Sequence, residues 1–308
     1  MRFAALSIVV VACLATASPA AAHSRTPTVA LDYRLELAAT PPGVHADVVD
    51  GDRSLRLRVD RPHTLLVRGL LGEPVLRFTP SGVWVNRASP TAATDRITKR
   101  GFGWTRVSRS TTFLWHDHRL SPPAGLRPGA STAWSMPVTL DGRPAALRGT
   151  FTHVARPPIW PWIVAMLAAA GAVAVLAHKL PARRPETAVA VAALAAAGAL
   201  AASTAFATGD AIAQKTEWIE AVSAGVLALL ALAALIARDR SWRTWAAMIV
   251  GVAAASLGLG SLSVFRHGVV VSSLPAPVTR LATAVALVGG ASAVVLAVLA
   301  PSTGKVRR

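Results

Sequence analysis

The sequence predicts an all-β sandwich of the immunoglobulin-like kind, followed by an α-helical bundle of five transmembrane helices. Three observations predict it. The polar first half carries short β-branched or alternating runs separated by turn residues. The second half is mostly Ala, Val and Leu in blocks close to the ~20 residues a helix needs to cross ~30 Å of hydrocarbon. The joint between them, Arg156-Pro157-Pro158-Ile159-Trp160-Pro161-Trp162, is short, and its prolines restrict it to extended conformations. A chain of 308 residues that is 53% hydrophobic, with a mean hydropathy of +0.48, is too apolar for an ordinary soluble protein.

Residues 1–22 read as a secretory signal peptide. Arg2 precedes an apolar run, and Ser18-Pro19-Ala20-Ala21-Ala22 is a small-residue cleavage site. Cleavage there makes His23 the first mature residue. Cys13, the single cysteine, lies in this segment, so the mature chain would hold any metal by nitrogen and oxygen alone.

Residues 23–157 form the expected extracytoplasmic sandwich. Strand-like runs fall at 29–37, 55–59, 64–67, 83–85, 111–115, 132–140 and 147–154. Breaks such as Pro41-Pro42-Gly43, Pro80-Ser81-Gly82 and Asp141-Gly142 supply the turn chemistry. No stretch shows helical periodicity, and many short strands without helices indicate a sandwich.

Residues 158–301 hold five apolar blocks, at roughly 159–178, 187–207, 218–237, 244–264 and 281–300. Lys179, Arg183 and Arg184 follow the first, and Arg238, Arg240 and Arg243 flank the gap after the third. A basic tail, 302–308, follows the fifth. The intervening loops are less basic, so the positive-inside rule puts the C-terminus in the cytoplasm and the sandwich outside. The signal peptide demands the same orientation, that of a multi-pass plasma-membrane protein. The net charge of +17 does not indicate nucleic-acid binding for a domain on that side. It would suit attraction to anionic lipids or wall polymers, or reflect an Arg-rich composition.

The chemistry-bearing segment is Trp115-His116-Asp117-His118-Arg119. On a regular strand His116 and His118 point to one face. With the ring and amine of His23 they make a nitrogen set suited to copper(II), less specifically to zinc. Asp117 would support them or, at a bulge, act as a ligand. The competing reading makes these histidines ordinary hydrogen-bonded residues near a strand end. His45 and His63 lie near turns and read as surface residues, whereas His153 could be either. Arg87 shapes its loop or meets an anion. In the membrane half, Glu217, Glu220 and His267 are either interfacial anchors or a second cation site under the sandwich. The chain has no Gly-x-Ser-x-Gly elbow, phosphate-binding loop, His-Glu-x-x-His or redox-cofactor motif, so no enzyme is expected.

Gly72-Glu73-Pro74-Val75-Leu76-Arg77-Phe78, Gly82-Val83-Trp84-Val85-Asn86-Arg87-Ala88-Ser89-Pro90 and Trp115-His116-Asp117-His118-Arg119 resemble, in order, three boxes of an uncharacterised actinobacterial membrane-protein family. In that family "GEPYLRF", "GV-x-x-N-x-x-SP" and "WHDHR" precede several membrane helices. Val75 stands where the family has tyrosine. The resemblance implies the architecture and no activity. A looser similarity is to CopC-type periplasmic copper carriers, secreted β-sandwiches that begin with His, complete a copper(II) site with an Asp-x-His pair, and are in some bacteria fused to a multi-helix membrane domain. His116-Asp117-His118 does not reproduce that spacing, and likeness of architecture does not establish function.

The leading expectation is therefore copper handling through His23, His116 and His118, with other envelope copper-handling proteins as partners. Trp115 would shield the site and Arg119 would hold an acidic neighbour. One alternative is a metal-free envelope interaction module anchored by the helices. Another is a small transporter or accessory subunit that uses the membrane-half residues.

Overall fold

A computed structural model describes residues 30–49, 54–121, 125–209 and 215–300. The signal segment, His23 and the basic tail lie outside them. The strands of the first half are β1 (Ala30–Leu31), β2 (Tyr33–Ala39), β3 (Val44–Val49), β4 (Ser54–Val59), β5 (Leu65–Arg68) and β6 (Pro74–Thr79). They continue as β7 (Gly82–Asn86), β8 (Trp104–Ser108), β9 (Thr112–His116), β10 (Ser131–Leu140) and β11 (Arg143–His153), with a short helix α1 (Pro90–Thr94) after β7. One antiparallel sheet runs β2-β11-β10-β5-β6-β7-β8 and the other β3-β4-β9.

The two sheets share one core because their strands alternate in polarity. On β4, Leu55, Leu57 and Val59 are buried while Arg56 and Arg58 face out. Trp134, Met136 and Val138 do the same on β10, and Leu147 and Phe151 on β11. Phe78, Val83, Val85 and Trp115 complete the cluster. Burial of this kind contributes about 25 cal/mol per Å² of apolar surface. The outer face of the large sheet is polar. There Arg77 lies 4.7 Å from the ring centre of Trp104, and Arg106 lies 5.8 Å from that of Trp84.

Five long helices follow: α2 (Trp160–Lys179), α3 (Arg184–Gly209), α4 (Lys215–Ile236), α5 (Arg240–Gly260) and α6 (Ala276–Val298). All five are long and apolar enough to cross a membrane. They coincide with the expected blocks to within a few residues. Helix α3 is central, packing against α4, α5 and α6, whereas α2 is almost wholly peripheral. Helices in lipid gain little from hydrophobic association and rely on close packing of small residues. Ala188, Ala192, Ala195, Ala196 and Ala199 supply this on α3. Gly251 on α5 and Gly290 on α6 meet so closely that a Cβ on Gly290 would lie 2.5 Å from the Gly251 carbonyl oxygen.

The β domain is fastened to the helical region at its chain entry. Strand β1 pairs antiparallel with β12 (Val269–Val270), in the loop between α5 and α6, aligning Ala30 with Val270. Ala30 also packs with Phe206, Val264 and Phe265. Between these elements sits Asp32. Arg156 of the proline joint donates to its Oδ2 from Nη2 (3.0 Å) and Nε (3.2 Å), and His267 Nδ1 lies 3.0 Å from Oδ1. Burial raises the Asp32 carboxyl, but Arg156 and His267 outweigh it and hold it below the usual range. A buried Arg280 on α6 donates to the carbonyls of Val264 (2.8 Å) and His267 (3.1 Å), bracing the loop that carries β12. At the opposite ends of the helices, Arg184 donates to the carbonyls of Ala177 (3.1 Å) and Leu299 (3.0 Å).

The glycine contact gives a direct test. Gly290→Leu forces α5 and α6 apart and should lower the thermal unfolding midpoint in detergent by several degrees. Gly171→Leu, on the peripheral helix with no atom within 4 Å of its Cβ, should leave it unchanged. Equal midpoints for the two variants would refute the packing argument.

Candidate functional site

Strand β9 pairs with β4, placing Trp115 opposite Leu55 and His116 opposite Ser54. The strand ends at His116. Asp117 then caps a single 3₁₀ turn, His118–Leu120, its Oδ1 accepting from the Arg119 amide at 2.9 Å. This turn is why the two histidines do not act as one strand face. Ser54 Oγ is 2.9 Å from His116 Nδ1, while His118 Nδ1 hydrogen-bonds Asp95 Oδ1 at very short range.

The Asp117 side chain is fully buried and its oxygens are occupied. Besides the amide, Arg119 Nε donates to Oδ1 at 2.8 Å and Nη2 to Oδ2 at 2.5 Å. Trp115 Nε1 donates to Oδ2 at 3.1 Å. Arg119, only 11% exposed, also donates to the Arg68 carbonyl, and Trp134 Nε1 donates to the Arg119 carbonyl at 2.9 Å. Asp117 thus positions Trp115 and Arg119 rather than an imidazole.

His118 is oriented by a different acid, one the sequence reading did not single out. Asp95 closes α1 at its C-terminal end, and its side chain is buried. Burial pushes its carboxyl up and the Asp117 charge adds to this, while the bonds and charge of His118 pull the other way. Asp95 Oδ2 is buried without a hydrogen-bond partner. His118 itself is 55% exposed at the side chain, and its Nε2 has no partner among the described residues. With Nδ1 donating to the carboxylate, the neutral ring carries its lone pair on Nε2, toward solvent.

The other quoted boxes meet at the same place. Glu73 Oε1 accepts from Ser89 Oγ (2.8 Å) and the Thr91 amide (3.2 Å), and Oε2 accepts from the Leu71 amide (3.1 Å). Burial would raise this carboxyl, but these donors hold it at about 2. Ser89 in turn caps α1 through the Ala92 amide at 3.1 Å, with Pro90 at the first turn. Asn86 Nδ2 reaches the Pro74 carbonyl at 2.9 Å. Turn 69–73, helix α1 and the 3₁₀ turn are therefore one network.

The remaining residues fall elsewhere. His45 pairs with Asp60 (2.8 Å) and His63 with Asp141 (2.6 Å), both at the surface. His153 Nδ1 meets the Leu126 carbonyl at 2.7 Å and its ring stacks on Tyr33. His267 faces Asp32, while Glu220 is exposed on α4 with no ion-pair partner among the described residues. The Glu217 side chain and His23 lie outside the described residues. No cluster of three His, Cys, Asp or Glu side chains suited to a metal occurs among the described residues. No protein-family model, curated protein or solved structure matches this chain.

Two outcomes test the network. Asp117→Ala leaves the Arg119 guanidinium without its counter-charge and the Trp115 indole without its acceptor inside the protein, which should cost about 3–5 kcal/mol. The measurement is the urea midpoint of the detergent-solubilised chain followed by tryptophan fluorescence, and an unchanged midpoint would contradict it. Glu73→Gln tests the depressed carboxyl. A carboxyl lowered from 4.5 to about 2 stabilises the fold above pH 4.5 and loses that contribution as pH falls toward 2. The stability gap between parent and variant should therefore be full above pH 4.5 and close toward pH 2.

Proposed function

We propose that the protein is a multi-pass plasma-membrane protein that handles copper, with its β domain outside the cell and its C-terminus in the cytoplasm. The observation that carries this reading is the Asp95–His118 pair. A carboxylate on one ring nitrogen with the other presented to solvent is the arrangement that raises the basicity of a metal-ligating histidine. His118 Nε2 is the anchoring ligand in this reading. His116 follows two residues earlier, and the amine and ring of His23 bring the set to four nitrogens, a copper(II)-type environment. Asp117 has no ligand role because its oxygens are filled. The described residues alone do not form a three-ligand cluster, so the reading requires the mature N-terminus to reach the 3₁₀ turn.

The test is copper(II) titration of the full chain in detergent, with the mature N-terminus established by mass spectrometry. His118→Ala and His23→Ala should each abolish or strongly weaken binding, and His116→Ala should weaken it. His45→Ala and His63→Ala should leave it intact. Asp95→Asn, which keeps the shape but not the charge behind His118, should weaken affinity about 10–100-fold. Affinity should fall as pH drops, because imidazoles and amine must lose protons to bind. Absence of saturable binding, or equal effects from all five histidine variants, would sink the proposal.

A further inference from the structure

Strand register turns one pole of the β domain toward the membrane helices. Strand β10 starts at Ser131 opposite Thr152, next to the proline joint, and Val138 pairs with Val67 while Leu140 pairs with Leu65. Strand β5 therefore runs back toward the joint, and turn 69–73 lies on that side. Asn86, at the end of β7, bonds Pro74, so the connection 87–103 leaves from the same side. The hairpin turn at Ser81 and the turn at Asp141 mark the opposite pole.

Among the described residues, the exposed large apolar side chains of the β domain are Leu70 (57%), Leu71 (78%) and Phe102 (95%), and all three belong to the joint-side pole. They are on neighbouring loops: the Leu70 amide bonds Thr91 Oγ1 at 3.0 Å, and Arg87 bonds the backbone of Gly101 and Gly103 on either side of Phe102. Among the described residues, a group of cations lies beside them. Arg96, Lys99 and Arg100 line an open cavity of about 620 Å³ together with Ala93, Ile97 and Thr98. Among the described residues none of Arg87, Arg96, Lys99 and Arg100 has a carboxylate partner. Among the described residues the acids of this pole, Glu73, Asp95 and Asp117, are buried or face internal partners.

We propose that this pole is seated on the leaflet of the bilayer that adjoins the β domain, with anionic lipid headgroups in the Arg96–Lys99–Arg100 cavity and Leu70, Leu71 and Phe102 inserted among the acyl chains. Apolar tips ringed by cations are the composition of an interfacial membrane anchor. A protein-binding surface differs, since its buried centre is depleted of charge. The domain is already held at the membrane through Asp32 and β1, so seating adds little loss of freedom. The inference is independent of metal binding.

The test uses the full chain with Cys13→Ser, carrying one fluorophore at Leu71→Cys, Phe102→Cys or Ser81→Cys, in nanodiscs doped with doxyl lipid. Ser81 reports the opposite pole. In phosphatidylcholine–phosphatidylglycerol discs, labels at 71 and 102 should be strongly quenched and the label at 81 should not. Arg96→Ala/Lys99→Ala/Arg100→Ala should lose most of that quenching without changing the unfolding midpoint. Labels at 71 and 102 quenched no more than the label at 81 would overturn the proposal. So would shielding that occurs only in native membranes and not in nanodiscs, which would assign the surface to a protein partner.

Discussion

A carboxylate sealed from water must have its lone pairs filled by donors, and at Asp117 this requirement organises one whole pole of the β domain. Four donors converge on its two oxygens, from the Arg119 amide and guanidinium and from the Trp115 indole. The amide bond ends β9 and starts the 3₁₀ turn. The guanidinium, once fixed, reaches the Arg68 carbonyl and so ties turn 69–73 to the small sheet. The indole is fixed inside the core between Phe78 and Phe113. Desolvating such a group costs several kcal/mol unless it is paired this completely. The position of His118 follows from the turn that Asp117 imposes.

The same logic operates at the junction with a different balance. Asp32 keeps partial access to solvent and has partners on two separate segments: Arg156 in the proline joint, and His267 and the Gly268 amide in the α5–α6 loop. A joint of extended prolines alone would fix distance but leave rotation free. The β1–β12 pairing adds a second attachment on another chain segment, and two attachments define an orientation. Gly268 allows the close approach, since a Cβ there would lie 2.7 Å from a Val154 side-chain carbon.

Legibility in the sequence divided along physical lines. The five helices were readable because a bilayer imposes length and apolarity on every residue of a span, and Trp160 and Arg184 mark their ends. Strands with clean alternation, such as Leu55–Val59 and Thr132–Leu140, were equally plain. Strands β3, β6 and β8 were not, for local reasons. β3 is short and carries His45, Ala46 and Asp47 among its valines, a proline opens β6, and β8 has only five residues with Arg106 at its centre. Helix α1 is too short for periodicity, and its only signal was Ser89 before Pro90. At the site the period-two rule placed His116 and His118 on one face. The rule assumes that the strand continues, and Asp117 ends it by accepting the Arg119 amide. Asp95 had no local signal, because its partner lies 23 residues away and only the fold joins them.

The excess of arginine, ambiguous as a bare net charge of +17, separates into classes once the partners are known. Arg119 and Arg280 are internal donors to a carboxylate and to carbonyls, and Arg156 is a junction ion pair. Arg184 satisfies helix-end carbonyls, while Arg240 and Arg243 flank Glu186 at 3.5 and 3.8 Å. Arg77 and Arg106 lie over tryptophan rings. Each of these cations has a task inside the fold that a neutral side chain would perform less well. Arg96 and Arg100, with Lys99, have no such partner among the described residues. The seating we propose gives this cluster a role toward what lies outside the chain. In that proposal its place on the side that faces the helices lets a negatively charged bilayer surface supply the compensation.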